Sequence, residues 1–253
     1  MSASLFMEKS LDFLAKVRET QLDKIRQAAA LITESINAGG LLHVFGTGHS
    51  QIIAEEAYSR AGGLIFVNAI LEPGLLLHEG AAKSSAVEKV PGLARALLTS
   101  QPLKKGETII IISNSGRNAV PIETAMLARE KGLKVIAITS MAHTQKVKSR
   151  HESGKKLYEL ADVVIDNCGV PGDAILSRPG VEAPFCATST LTGVYIIQAL
   201  IAEVIEMLAA AGKDVPVLMS GNLDGSAEYN ARMAEPYLDR LPELAVFRKS
   251  ERT

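Results

Sequence analysis

Two short stretches carry residue types suited to holding an anion. Gly46-Thr47-Gly48-His49-Ser50 follows the apolar run Leu41-Leu42-His43-Val44-Phe45. Ser113-Asn114-Ser115-Gly116 follows Thr108-Ile109-Ile110-Ile111-Ile112. Each run reads as a strand, and a helical pattern follows each loop. Small and hydroxyl residues at a strand-to-helix turn present backbone N–H groups, side-chain O–H donors and the positive end of a helix dipole. That is chemistry for a phosphate, and nothing similar occurs elsewhere in the chain.

The elements that must position these loops alternate. A long helix is expected over 8–37, where Leu11, Leu14, Val17, Ile25, Ala28, Ile32 and Ile36 recur at helical spacing. Thirty residues span about 45 Å, long enough to cover one domain and to pack on a second subunit. Gly39-Gly40 ends it. Strands are expected over 41–45, 64–68, 108–112, 135–139 and 163–166. Helices are expected over 50–61, 119–131 and 189–211, with two pieces between Ser84 and Ser100 divided by Pro91. The segment 141–156 is polar and basic and reads as a solvated insertion, with a lid over an anionic ligand as the alternative. Residues 168–187 read as a long loop. The tail offers a strand-like 215–219 and a last helix over 224–240. Strands alternating with helices predict a three-layer αβα, flavodoxin-like fold: a five-stranded parallel sheet in the order 2-1-3-4-5. In that order strands one and three are neighbours at the switch point, and the two loops leave those two strands.

Composition narrows the function. The chain has 253 residues, 47% of them hydrophobic, no Trp and a net charge of −1. The core is therefore aliphatic, and the electrostatic case for a nucleic-acid partner is missing. Cys168 and Cys186 form no CxxC pair, which reads as a reducing, cytoplasmic setting without a metal cluster. The first residues do not read as a signal peptide. The most apolar long stretch contains Glu203 and Glu206, so it reads as a core helix and not a membrane span. A dinucleotide fingerprint would need Gly where Gln51 stands and an acid where Asn68 stands. No Gly-Lys-Ser/Thr follows Gly46, and Ser50 is not in a GxSxG elbow. No cofactor and no metal are expected.

The two loops resemble the phosphate loops of SIS (sugar isomerase) domains. Two further stretches are similar to bacterial phosphoheptose isomerases: Ala38-Gly39-Gly40, and Ala128-Arg129-Glu130-Lys131-Gly132-Leu133-Lys134-Val135-Ile136. The resemblance covers about residues 25–166 and, more loosely, the helix after Thr188. It implies a SIS domain over 39–212, preceded by a helix over 1–38 and followed by a helical extension over 213–253. It implies that the hydroxyls of Ser113 and Ser115 and the N–H of Gly116 hold a sugar phosphate, with Arg117 or Asn118 helping. Asn114 belongs to the same loop. Gly46, Thr47, Gly48, His49 and Ser50 would face the sugar, as would Ser189 and Thr190. Phosphoheptose isomerases carry a His six residues after the loop serine and a Glu ten after it. Here those positions hold Glu56 and Arg60, and the late-helix His has no counterpart, so no zinc site is implied.

Aldose–ketose isomerisation needs a base for the proton next to the carbonyl and a donor for the oxygen. Glu56, two turns into the helix after the first loop, is one candidate base. Its alternative is an ion pair with Arg60 one turn on. His78 and Glu79 form a second acid–base pair. Asp173 and Glu182 are in reserve, His43 is structural, and His143 and His151 fall in the basic insertion with no catalytic role. The expected activity is a phosphosugar isomerase, with a sugar-phosphate sensor or a phosphosugar lyase or etherase as alternatives. The expected partners are the ligand and further copies of the chain, as a homodimer or homotetramer.

Overall fold

The computed structural model describes residues 2–248. Its element order is α1 (Ser2–Asn37), β1 (Leu42–Gly46), α2 (His49–Ala57), β2 (Val67–Ile70), α3 (Ala81–Val87), α4 (Leu93–Thr99), β3 (Thr108–Ile112), α5 (Ala119–Glu130), β4 (Lys134–Thr139), α6 (Met141–Thr144), β5 (Val163–Asp166), β6 (Ala174–Arg178), β7 (Val181–Ala187), α7 (Ser189–Ala210) and α8 (Ser226–Ala234). Strands β1 to β5 form one parallel sheet in the order β2-β1-β3-β4-β5. This is the expected doubly wound αβα fold.

The isoleucine run of β3 shows why the central strands are apolar throughout. Successive side chains leave opposite faces of a strand. Ile110 and Ile112 enter the core under α1, α2, α7 and the C-terminal segment. Ile109 and Ile111 enter the core under α4, α5 and the turn at Leu157–Leu160. By length and composition alone α7 could cross a membrane. It lies instead against α1 and α2, with Gly193, Ile196, Ile197, Leu200 and Val204 buried.

Four expectations change. The strand expected over 64–68 moves to β2, because Leu64 forms an antiparallel bridge with Val217 and the Ile65 N–H donates to Pro216. The 168–187 loop contains the antiparallel hairpin β6–β7, turned at Pro179-Gly180. The last helix stops at Ala234, since Pro236 removes the N–H that another turn would need. The basic segment 141–156 is fastened down and is not a freely solvated insertion. The Arg150 N–H donates to the Arg117 carbonyl, the Arg150 guanidinium to Asn118 Oδ1 at 3.1 Å, and the Lys156 ammonium to the carbonyls of Thr144 and Val147.

At the opposite end of the sheet His43 is fully buried, as its place on a strand implies. Its Nε2 lies 2.9 Å from Glu107 Oε2, and the Asn68 amide lies 3.0 Å from its Nδ1. Glu107, 2% exposed, also accepts from the N–H groups of Leu41 and Lys104 and from both ends of the Arg240 guanidinium. This network ties the C-terminal segment to the start of β1 and β3.

Candidate functional site

The carboxyl ends of all five parallel strands open on one crevice edge. The first loop leaves β1, next to the central strand β3. The Gly48 N–H donates to the Leu75 carbonyl, which also accepts the Ser84 hydroxyl at 2.8 Å, so the segment after β2 is docked against this loop. The Thr47 hydroxyl donates to Glu88 Oε2 at 3.0 Å. Glu88 follows α3, and its carbonyl accepts the Val120 N–H from the first turn of α5. A carboxylate is thus held between the first loop and the helix that leaves the second.

The second loop is tightly built. The Gly116 N–H donates to Ser113 Oγ at 3.1 Å, and the Gly116 carbonyl accepts from Leu157. Gly116 has φ +58°, and an added Cβ would meet the Leu157 Cβ at 3.2 Å, so a side chain there would be strained and crowded. Asn114 Oδ1 accepts the Asn167 amide at 2.9 Å. Asn118, the N-cap of α5, makes no side-chain cap; its Oδ1 accepts from Arg150. Among the described residues the N–H groups of Arg117, Asn118 and Ala119 find no acceptor, and Arg117 Nε is buried without a partner. The Ser115 hydroxyl is likewise unused. These are the donors that an anion at a helix N-terminus would take up. The Gly116 N–H, implicated by the family resemblance, is turned inward in this conformation.

The start of α7 closes the crevice. An added Cβ on Gly193 would meet Ile53 Cδ1 at 2.2 Å, so this glycine lets α7 lie directly on α2. One turn earlier on each helix, Ser189 and Thr190 come level with His49 and Ser50. Asp173 Oδ1 accepts the N–H groups of Thr188 and Ser189, and its Oδ2 accepts the Ser189 hydroxyl. The carboxylate therefore caps the N-terminus of α7. Ser189 is committed to it, while Ser50 and Thr190 remain open among the described residues. His143 of α6 accepts the Gly172 N–H on Nδ1 at 2.9 Å. Burial pushes this imidazole below its ordinary pKa; Asp173 opposes that, and Arg117 adds to it.

The three acid–base candidates from sequence lie elsewhere. The Glu56 carboxylate is paired with Arg60 and accepts the Gln198 amide of α7 at 2.7 Å. It lies at the α2–α7 seam. His78 and Glu79 are exposed beyond Leu77, and Lys83 holds Glu79 below the usual carboxylate range. Glu88 and His143 were not singled out as site residues. Glu88 sits in no motif, and only the docking of α3 brings it to Thr47. His143 did carry a signal: Thr139-Ser140 ends a strand next to β3 and opens a helix, the same arrangement that marked the two loops. Among the described residues no three His, Cys, Asp or Glu side chains gather into a metal site.

A parallel sheet with small, hydroxyl-bearing loops leaving the two strands at its switch point is a domain of the SIS class. The chain belongs to the SIS-domain family, whose SIS domain model matches residues 5–140. Its relatives include the UPF0309 proteins. One from Caldanaerobacter subterraneus is 46% identical over 95% of this chain and 99% of its own length. Another from Geobacillus kaustophilus is 42% identical over 94% and 95%. Among solved structures, a phosphoheptose isomerase from Francisella tularensis superposes with a TM-score of 0.54 at 15% identity, over 81% of this chain and 97% of that one. The Vibrio vulnificus NanR protein complexed with ManNAc-6P gives 0.52 at 14% identity, over 96% and 70%. At these identities the likeness is one of fold.

Proposed function

We propose that this protein binds a sugar phosphate in the crevice and interconverts its aldose and ketose forms. One observation carries the reading: unused hydroxyl and N–H donors of the second loop face the same crevice edge as Ser50 and Thr190. The phosphate takes the hydroxyls of Ser113 and Ser115 and the N–H groups of residues 117–119. The sugar extends toward the first loop and the start of α7. Glu88 is the base. It removes the proton from the carbon next to the carbonyl and returns it to the neighbouring carbon, so no external oxidant or reductant is needed. Glu56 and the His78–Glu79 pair are the competing assignments. Glu56 is already neutralised by Arg60, and His78 and Glu79 stand in solvent.

A thermal-shift screen with pentose, hexose, heptose and N-acetylhexosamine phosphates, and inorganic phosphate as control, tests the binding. A ligand at about 100 times its Kd adds about 2.7 kcal/mol, a rise of roughly 5–10 °C for a chain of this size. Selective stabilisation by one sugar supports the reading; no shift with any phosphate removes it. With the selected sugar, Glu88→Gln is expected to abolish turnover and leave binding, whereas Glu56→Gln keeps activity. The reverse outcome returns the base to Glu56. Binding without turnover in the unaltered protein makes it a sensor.

We further propose that copies of the chain associate through α1 and α7. Met7 and Leu11 are 67% and 66% exposed on α1, and Leu191 and Tyr195 lie exposed on α7. Isolated large apolar side chains are ordinary on a surface, but two stripes of them mark an interface. Light scattering should give a dimer or tetramer; a monomer at working concentration ends this proposal.

A further inference from the structure

His143 was set aside in the sequence as part of a basic insertion, but its hydrogen bonding gives it a defined protonation state. Its Nδ1 accepts the Gly172 N–H. A backbone N–H only donates, so Nδ1 carries no hydrogen, and the neutral ring has its single N–H on Nε2. Among the described residues Nε2 has no protein partner. The imidazolium would set N–H against N–H at Gly172, so the ring is held neutral. The charged groups around it are Arg117 from the second loop and Asp173 from the loop into β6. The same two-residue segment, Gly172-Asp173, fixes the imidazole on one side and caps α7 through Thr188 and Ser189 on the other. The ring is therefore fixed between the second loop and the start of α7.

We infer that His143 is a fixed neutral donor whose Nε2–H binds the sugar's carbonyl oxygen, on the carbon next to the one being deprotonated. This rests on the sugar-phosphate reading above. The wrong tautomer for a base is the right one for this task. As Glu88 takes the carbon-bound proton, charge moves onto that carbonyl oxygen and the Nε2–H bond to it strengthens. The proton of the neighbouring hydroxyl passes to the former carbonyl oxygen within the enediolate. The imidazole gives a hydrogen bond without surrendering its own proton, so it leaves the cycle unchanged. Asp173 is a positioning residue, since its carboxylate is spent on the α7 cap.

Two variants separate the parts of the histidine. In His143→Asn the amide keeps an acceptor near Nδ1 for Gly172 and has nothing at the Nε2 position. In His143→Gln an amide N–H reaches toward that position. Calorimetry with inorganic phosphate, fructose 6-phosphate, glucose 6-phosphate and N-acetylmannosamine 6-phosphate reads binding. NMR in D2O reads loss of the proton at the carbon beside the carbonyl. His143→Asn is expected to bind inorganic phosphate as the unaltered protein does and to slow exchange about 100-fold, with His143→Gln recovering part of the rate. Exchange at the original rate in His143→Asn overturns the proposal. So does loss of inorganic phosphate binding in both variants, which makes the ring a support of the second loop. Should the unaltered protein bind the esters without exchanging any proton, the isomerase reading fails by itself. The donor must then appear as about a tenfold weaker affinity of His143→Asn for the sugar phosphate alone, and equal affinity overturns it. Binding of none of the four probes by the unaltered protein overturns both readings.

Discussion

Replacing Glu107 with Gln is expected to lower the midpoint of thermal unfolding by roughly 6–20 °C. The Glu107 carboxylate is 2% exposed and is the counter-charge of Arg240, itself 15% exposed. Removing one partner of a buried ion pair strands the other, at a cost of about 3–5 kcal/mol. In a chain of this size each kcal/mol moves the midpoint by roughly 2–4 °C. Acid should have a related effect. Burial by itself would raise the pKa of Glu107. Hydrogen bonds from His43, Arg240 and the Lys104 N–H outweigh it and bring the value down from 4.5 to about 2. A depressed folded-state pKa contributes stability that is complete above the unfolded value and disappears as pH falls through the folded one. The contribution, on the order of 3 kcal/mol, is therefore present above about pH 5 and lost between there and about pH 2. Denaturant melts of both proteins across that range check the point. An unaltered midpoint, with the same acid dependence in the variant, contradicts the role given to Glu107.

The second large effect falls on the second loop. Ser113→Ala with Ser115→Ala is expected to weaken sugar-phosphate binding by two to four orders of magnitude and to leave the fold intact. A hydrogen bond to a charged group contributes about 1.5–3 kcal/mol, and a factor of ten corresponds to about 1.4 kcal/mol. The Ser115 hydroxyl has no other use among the described residues, so Ser115→Ala alone should act on affinity without touching stability. Ser113 also receives the Gly116 N–H, so its removal should loosen the loop slightly as well. Calorimetric titration with the sugar selected by thermal shift decides this. Unchanged affinity in the double variant would mean that the phosphate is not held there.

The sheet was legible because its signals are local and repeated. Five apolar runs, interleaved with helical periods, allow few topologies once parallel crossovers are required. Leu64 misled because its apolar partner, Val217, lies far along the chain; a strand-like run does not reveal which strand it will join. Pro179-Gly180 was a turn signal inside a segment whose strands are largely exposed, so no buried alternation marked the hairpin. The phosphate-type loops were legible for the same reason as the sheet: their chemistry is contiguous. The side chains proposed to act on the sugar were not. Glu88 reaches Thr47 from 41 residues away, and Gly172 fixes His143 from 29 residues away. Glu56, by contrast, stands two turns past its loop as expected, and its carboxylate accepts the Gln198 amide of α7.

Helix α1 is far longer than the sheet it covers. Thirty-six residues span about 54 Å. Gln21 already meets the carboxyl end of β5 by accepting the Asp166 N–H, so the turns before it rise past the crevice edge. Lys9 there touches the carbonyl of Ile175 in the hairpin. The later half buries Ile25, Ala28, Ala29 and Ile32 in the main core; the earlier half buries little beyond Ser10 and Val17. One continuous helix thus belongs to two cooperative units. Its later amides are expected to open only when the whole domain unfolds. Its earlier amides are expected to open with the hairpin, in a local event that leaves the core standing, which amide hydrogen exchange would read. The hairpin begins at Gly172-Asp173, so fraying at the chain's N-terminus and order at the crevice draw on the same small reserve of stability.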